Sequence, residues 1–314
     1  MSLDDLRMKV IREFIAPFLK IERAQHLHGL VVNEVENAFQ RVCSMAPPVD
    51  IRSEIAYPVP AGVVSTLIGI PRELHPKVRG LAYVAGNIEN HEVAAKAGAE
   101  LNNIISDIMD DGGVSGEDSI IRRINQALSE GRYSEFTREQ FVGTLKGIQI
   151  AGQMNAATAI ERGMILLLSE GMDISRISAD SEYLDGLVEE ILRCPHPVFR
   201  RNSGVPRYVK EDMQVGDTAV GKGDLIILDF EEANADPSQF DCPEKFDPSR
   251  WPNAHLTFGY GPHFCLGAML ARMEIRTVLQ YFSTRIPDLR LSEQQFSRCT
   301  DQLSGGVNRL FVEW

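Results

Sequence analysis

Cys265 is the residue of this chain best placed to do chemistry. It lies in Phe258-Gly259-Tyr260-Gly261-Pro262-His263-Phe264-Cys265-Leu266-Gly267, a glycine-punctuated loop that delivers one cysteine immediately before a helix. Orphan amide N–H groups and the positive end of that helix stabilise a thiolate and lower its pKa, as a metal ligand requires. Gly259, Gly261 and Gly267 permit φ above zero and let the backbone lie close against a flat ligand. Donors aimed at the sulfur tune the potential of a ligated metal. Three other readings compete. A cysteine beside a helix is most often buried filler. Zinc needs four ligands, and only His263 lies nearby. A catalytic Cys/His pair would require His263, two residues away, to fold back on its neighbour.

The elements that must hold this loop are mostly helical. Residues 1 to about 170 carry amphipathic stretches broken at Ala46-Pro47-Pro48, Tyr57-Pro58-Val59-Pro60 and Gly69-Ile70-Pro71. Thr137 with Gln140 three residues on forms a capping box, and helix-compatible sequence then continues to about Glu170 before Gly171 stops it. At 1.5 Å per residue such a helix crosses roughly 50 Å. Its centre, Ile150-Ala151-Gly152-Gln153-Met154-Asn155-Ala156-Ala157, is small and polar. Either a neighbouring helix packs closely there or something flat lies against it. A second helix carries Leu184, Leu187, Ile191 and Leu192, with Glu190 and Arg193 spaced to pair on one face. Residues 207 to 230 read as short β-runs, the chain is then loop-rich to Gly267, a final helix runs from about Ala268 to Phe282, and the tail is β-like.

A net charge of −12, from 32 Lys and Arg against 44 Asp and Glu, repels phosphate backbones and acidic membrane surfaces. No apolar run reaches the roughly 20 residues of a membrane span, so a soluble, cytoplasmic protein without nucleic-acid or membrane partners is expected. Five scattered cysteines with no Cys-x-x-Cys pair indicate neither a disulfide framework nor a zinc knuckle. No repeat or linker divides the 314 residues, which are expected to form one domain over 1–314.

The loop from Phe258 to Gly267 resembles the cysteine-ligand loop of the cytochrome P-450 family at Phe258, Gly259, Gly261, His263, Cys265 and Gly267. Glu190-Ile191-Leu192-Arg193 resembles the family's Glu-x-x-Arg pair, and Phe246-Asp247-Pro248-Ser249-Arg250 the segment that completes it. Ala233-Asn234-Ala235-Asp236-Pro237, the start of the final helix and Arg309-Leu310-Phe311-Val312-Glu313-Trp314 also fit, in the family's order. The resemblance, closest in style to the bacterial soluble branch, implies a mainly α fold with small β-sheets (α+β) around haem b, with Cys265 as axial thiolate. It implies that His263, Arg207 and Arg7 hold the haem propionates, and that Glu190, Arg193 and Arg250 are structural. It further implies that Ala151 and Gly152 lie on the distal side of the haem.

Two departures from the family pattern bear on activity. The family's usual N-terminal strands and helices have no counterpart before residues 4 to 18, and the histidine expected four residues before Arg7 is Leu3. After Ala151-Gly152-Gln153, the acid position is Met154 and the alcohol position is Asn155. Met154 relays no proton, and general acid work is typically worth 10²- to 10⁴-fold; Gln153 or a water is the candidate substitute. Three functions are therefore expected in turn. The first is a haem-thiolate oxidoreductase acting on a small organic substrate of secondary metabolism, with a ferredoxin-type electron donor docking at Arg272 and Arg276. The second is a haem enzyme for peroxide-driven oxidation, dehydration or rearrangement. The third is a non-catalytic haem scaffold whose uncovered surface takes a partner chain or a second copy.

Overall fold

The computed structural model describes residues 8, 10–112, 118–133, 136–194, 204–292, 296–302 and 304–314. Helix α1, Ala24–Val42, buries Leu27, Val31, Val35, Phe39 and Val42, a spacing that keeps one stripe against the core. Helix α2 spans Pro58–Ile68, so Tyr57-Pro58-Val59-Pro60 is a helix start as well as a break. Proline suits a first turn, because its missing N–H has no intrahelical acceptor there. Gly69, at φ +100, ends α2 by donating to the Ser65 and Thr66 carbonyls. Helices α3, His75–Ala85, α4, His91–Asp110, and α5, Ile120–Ser129, follow.

Helix α6, Arg138–Ser169, is the long helix read from the sequence. The Thr137 hydroxyl accepts from the Gln140 amide and the Gln140 side chain accepts from the Thr137 amide, at 3.4 and 2.8 Å. Gly171, at φ +61, follows its end. Helix α6 packs against α2, α3 and α4. After the short α7, Ser175–Ala179, comes α8, Ser181–Arg193, whose Leu184, Leu187, Val188 and Ile191 face inward. Both α8 and α10, Ala268–Arg285, also pack on α6.

The sheets are small. Strand β1, Val49–Asp50, pairs antiparallel with β7, Phe311–Glu313, which pairs with β6, Arg290–Leu291. Strands β2, Val205–Tyr208, and β5, Leu225–Leu228, form an antiparallel pair with Arg207 opposite Ile226. Strands β3, Met213–Val215, and β4, Thr218–Val220, form another. The β2–β5 pair leaves Leu225 and Ile227 exposed on one face and Leu228 on the other, so among the described residues neither face is covered. A short helix, α9, Phe230–Asn234, opens the long loop that leads to α10.

What holds that loop is a saturated buried ion pair. Arg193 and Glu190 are essentially unexposed and joined twice, at 2.8 and 2.7 Å. Arg193 also donates to the carbonyls of Asn234 and Pro243 at 2.9 Å and of Lys245 at 3.3 Å. Glu190 accepts in addition from the Asp247 amide, Arg250 Nε and Asn253 Nδ2, at 3.0, 3.3 and 3.0 Å. Nearby, a Cβ on Gly186 would meet the Pro248 carbonyl oxygen at 2.1 Å, so only glycine lets the loop lie on α8 here. Removing one member of such a network strands a buried charge, at about 3–5 kcal/mol. Glu190→Ala is expected to lose that much in chemical denaturation, whereas Arg290→Ala, which breaks an exposed pair with Glu313, should lose under about 1 kcal/mol. Equal losses would show that this network does not hold the loop.

Candidate functional site

The Cys265 loop closes on itself through the Cys265 amide, which donates to the Phe258 carbonyl at 2.9 Å, and the Gly259 amide, which donates to the Leu256 carbonyl at 2.8 Å. Two of its glycines are conformational necessities: Gly259 has φ +72 and Gly261 φ +73. Gly267 does not need a positive φ; it sits at φ −82, caps α10, and its amide hydrogen-bonds the Cys265 sulfur. Part of Cys265 is exposed, yet enough protein surrounds the sulfur that burial pushes the thiol up. The Gly267 amide and the Arg272 charge oppose that rise without cancelling it. The lowered pKa expected of a cysteine at a helix start is therefore reversed, because desolvation outweighs the amide and the cation.

Behind the loop, Glu189 of α8 gathers Arg272 and His255. Arg272 of α10 donates to its carboxylate at 2.6 and 2.8 Å, and His255 Nε2 lies 3.1 Å away. The Arg272 guanidinium also lies 4.5 Å over the centre of the Phe258 ring, which fixes the first residue of the loop. Burial would raise the Glu189 carboxyl, but the hydrogen bonds from Arg272 and His255 win and hold it at about 2. Arg276 pairs with Asp185. The two arginines expected to form a basic docking patch are thus each matched to a carboxylate of α8. Asn234 Oδ1 accepts from the Leu256 amide, and the Thr257 hydroxyl donates to the Leu192 carbonyl, both at 2.7 Å, so the approach to the loop hangs on α8 as well.

Helix α6 presents two different faces at its centre. Ala151 and Asn155 are exposed, and Asn155 Nδ2 donates to the Ala151 carbonyl at 3.1 Å. Gly152 is explained by close packing: a Cβ there would lie 2.8 Å from Val64 of α2. Gln153 and Met154 turn inward. Gln153 bonds the Arg79 carbonyl at 3.0 Å and continues through Gln149 to Ser65. Met154 packs so tightly under Gly86 that a Cβ on that glycine would lie 2.5 Å from its sulfur. Of Gln153, Met154 and Asn155, only Asn155 reaches the open face, since adjacent helical residues point about 100° apart.

Helix α9 joins that face to the cysteine loop. Arg162 of α6 bonds Glu231 at 3.1 Å, and a Cβ on Gly259 would lie 4.0 Å from the Phe230 ring. His263 is exposed in the loop's short turn and Arg207 is exposed on β2, its guanidinium on the Pro206 carbonyl. Arg7 lies outside the described residues. Among those residues no group of three or more His, Cys, Asp or Glu could hold an ion. A metal at Cys265 must bring its own further ligands, as haem iron does, and zinc does not fit. Exposed Phe264 and Leu266 beside the sulfur, with cationic side chains further out, suit a flat, largely apolar group carrying carboxylates. Glu189 and His255 escaped sequence reasoning, because the contact from Glu189 to Arg272 spans 83 positions.

One consequence is acid sensitivity. Between pH 4.5, the ordinary glutamate value, and about 2, the folded chain binds fewer protons at Glu189 than the unfolded chain, so stability present above that window is lost as pH falls through it. Glu189→Gln should flatten this part of the stability profile measured by urea unfolding; an unchanged acid limb would remove Glu189 as its source.

Comparison with known proteins agrees with this geometry. The cytochrome P-450 family model matches residues 174–298, which include α8, the Cys265 loop and α10. The chain is 31% identical over 314 residues to the cytochrome P-450 monooxygenase PikC of Streptomyces venezuelae, covering 98% of this chain and 73% of PikC. It is 29% identical over 311 residues to cytochrome P-450 BJ-1 of Bradyrhizobium diazoefficiens, covering 97% and 76%. The crystal structure of the LnmA cytochrome P-450 hydroxylase, from the leinamycin biosynthetic pathway of Streptomyces atroolivaceus, superposes with a TM-score of 0.86 at 26% identity, over 97% of this chain and 78% of that one. A glycine-turned loop carrying one cysteine ahead of a helix, on a fold and sequence shared over nearly the whole chain with relatives such as PikC, places this protein in the cytochrome P-450 family.

Proposed function

We propose that the chain is a haem-thiolate oxidoreductase acting on a small organic substrate of secondary metabolism. The observation that carries this is the single sulfur of Cys265, presented by the Gly259 and Gly261 turns on the side that α9 ties to the open stripe of α6. Cys265 would hold the iron of haem b through its sulfur. Phe258, Gly259 and Gly267 shape its loop, His263, Arg207 and Arg7 would hold the propionates, and Ala151, Gly152 and Asn155 would line the opposite, substrate side. Haem bound this way supplies iron for dioxygen or peroxide chemistry. The chain's own part is to hold the sulfur, exclude water with Phe264 and Leu266, and orient substrate along Ala151 and Asn155.

Electrons come from a separate ferredoxin-type protein in the cytoplasm. Because Glu189 and Asp185 already match Arg272 and Arg276, that donor is steered only weakly by these two charges. No helix among the described residues is long and apolar enough to cross a membrane. The uncovered β2–β5 pair supports a covering chain or a second copy at that edge. Relatives named for hydroxylation and monooxygenation support the substrate class.

A second reading, peroxide-driven or non-oxygenating haem chemistry or a haem scaffold, is favoured by one feature: no titratable group stands at Met154 or Asn155. Two measurements decide. Reduced protein with carbon monoxide should show the haem-thiolate band and Cys265→Ala should lose it; a variant that kept the band would sink the ligand assignment. In Asn155→Thr a hydroxyl can donate to the Ala151 carbonyl in place of the Asn155 amide. It should raise product formed per electron supplied by a surrogate ferredoxin, and a 10-fold gain would equal about 1.4 kcal/mol of barrier. No gain in a haem-loaded, reducible variant would favour the second reading. Met154→Glu would bury a carboxylate against Gly86, so it tests folding and not catalysis.

A further inference from the structure

A pocket of about 340 Å³ opens between α1, the turn Arg52–Ala56, α2 and the first turns of α3, and none of its walls belongs to the Cys265 loop. That is the small end of the roughly 300–1,000 Å³ in which proteins hold organic ligands. Its charged walls are Glu34 and Arg41 of α1, Glu54 of the turn and Arg79 of α3. Glu34 Oε1 accepts from Arg72 at 3.2 Å. Arg41 Nε lies 3.9 Å from Glu54 Oε2, and the rest of its guanidinium donates to the Asn37 and Glu54 carbonyls at 3.0 and 3.4 Å. His75, also in the wall, donates from Nε2 to the Ile70 carbonyl at 2.9 Å. Arg79 is the exception. Its guanidinium is partly buried and makes no hydrogen bond or ion pair among the described residues. Burial pushes its pKa down, the Arg41 charge adds to that, and Glu54 offsets them only in part. A partly desolvated cation is thus held near a second one, a cost that an anion shared between them would remove.

We propose that this pocket binds a small organic monocarboxylate through Arg79 and Arg41, at a site separate from the Cys265 loop. The guanidinium fork of Arg79 matches a carboxylate with two parallel hydrogen bonds. With Glu34 matched by Arg72 and Glu54 by Arg41, the charge left over is that of Arg79, so a single negative charge completes the balance. A phosphate, carrying nearly two, would bring its surplus against the Glu34 and Glu54 carboxylates. Pro58 and Ala61 of α2 and Pro76 of α3 give the body of the ligand an apolar wall. A Cβ on Gly62 would run into Glu34 Oε2, so this glycine lets the Glu34 carboxylate lie back on α2 and keeps the pocket open. A carboxylate shared by Arg79 and Arg41 joins α3 to α1. The Arg79 carbonyl, which accepts from Gln153, extends the joined elements to the centre of α6.

The test titrates the haem-loaded protein by calorimetry at neutral pH with sodium 3-phenylpropionate, with 3-phenylpropionamide as its uncharged counterpart, and with inorganic phosphate. The carboxylate should bind at least about 10-fold more tightly than the amide, and Arg79→Gln should lose a similar factor, as removal of a charged hydrogen bond does. Arg41→Gln, which leaves Glu54 unmatched beside the ligand, should weaken binding as well, and it decides if Arg79→Gln does not fold. Hydrogen exchange of the α3 backbone amides should slow when the carboxylate is added to wild type and stay unchanged in Arg79→Gln, a readout that a carboxylate bound near Cys265 would not move. Phosphate binding more tightly than the carboxylate overturns the ligand class. Equal affinity in wild type and Arg79→Gln, or no binding to wild type, overturns the site and leaves Arg79 as an arginine that water alone solvates. The thiolate–carbon monoxide band is read on the same protein, so failure of this site and failure of the haem reading are told apart.

Discussion

The rest of the structure depends on the mutual burial of Glu190 and Arg193. Neither charge could lie in the interior alone, and the partners that make them tolerable come from the long irregular segment between β5 and α10. A stretch with almost no regular structure has few hydrogen bonds of its own, so its course must be fixed from outside. Helix α8 does this twice, once with Arg193 and Glu190 and once with Glu189, whose carboxylate takes His255 from the segment and Arg272 from α10. Adjacent glutamates on one helix therefore hold the loop's course and its cysteine end separately.

The protein handles charge differently on the two sides of α6. Beside the Cys265 loop, Arg272 and Arg276 are each matched to a carboxylate, and burial raises the Cys265 thiol against the pull of Arg272. The exposed central turn of α6 carries Ala151 and Asn155 and no titratable group.

Local features were legible in the sequence and long-range ones were not. The capping box at Thr137, the stop at Gly171 and the turns at Gly259 and Gly261 depend on a few consecutive residues, and each is found where the pattern puts it. Gly267 was read with the right residue and the wrong reason, since at negative φ it supplies an amide to a sulfur, whereas Gly152 clears room for Val64, the close packing that was one of its two readings. Which way Met154 and Asn155 point could not be read, because periodicity fixes the 100° between them and not the zero of the angle. Arg272 and Arg276 looked like a basic patch because the carboxylates that match them lie far away along the chain. Glu161 sits beside Arg162 in the sequence, as in an ordinary solvated pair, and only the fold reveals that it is buried on Arg52 and the Val307 amide.

The contact between Glu161 and the C-terminal loop also fixes the register of α6. One residue inserted or deleted between Asn155 and Glu161 would swing the carboxylate about 100° around the helix axis. It would then leave both Arg52 and the Val307 amide, and strand a buried charge on each side. The helix is held at its other end by the Gly152 and Val64 contact, so the error could not be relaxed by sliding. Variation within this stretch is therefore confined to exchanges of residue at constant length, and the interval from Gly152 to Glu161 serves as a fixed ruler between helix α2 and the chain's C-terminal segment.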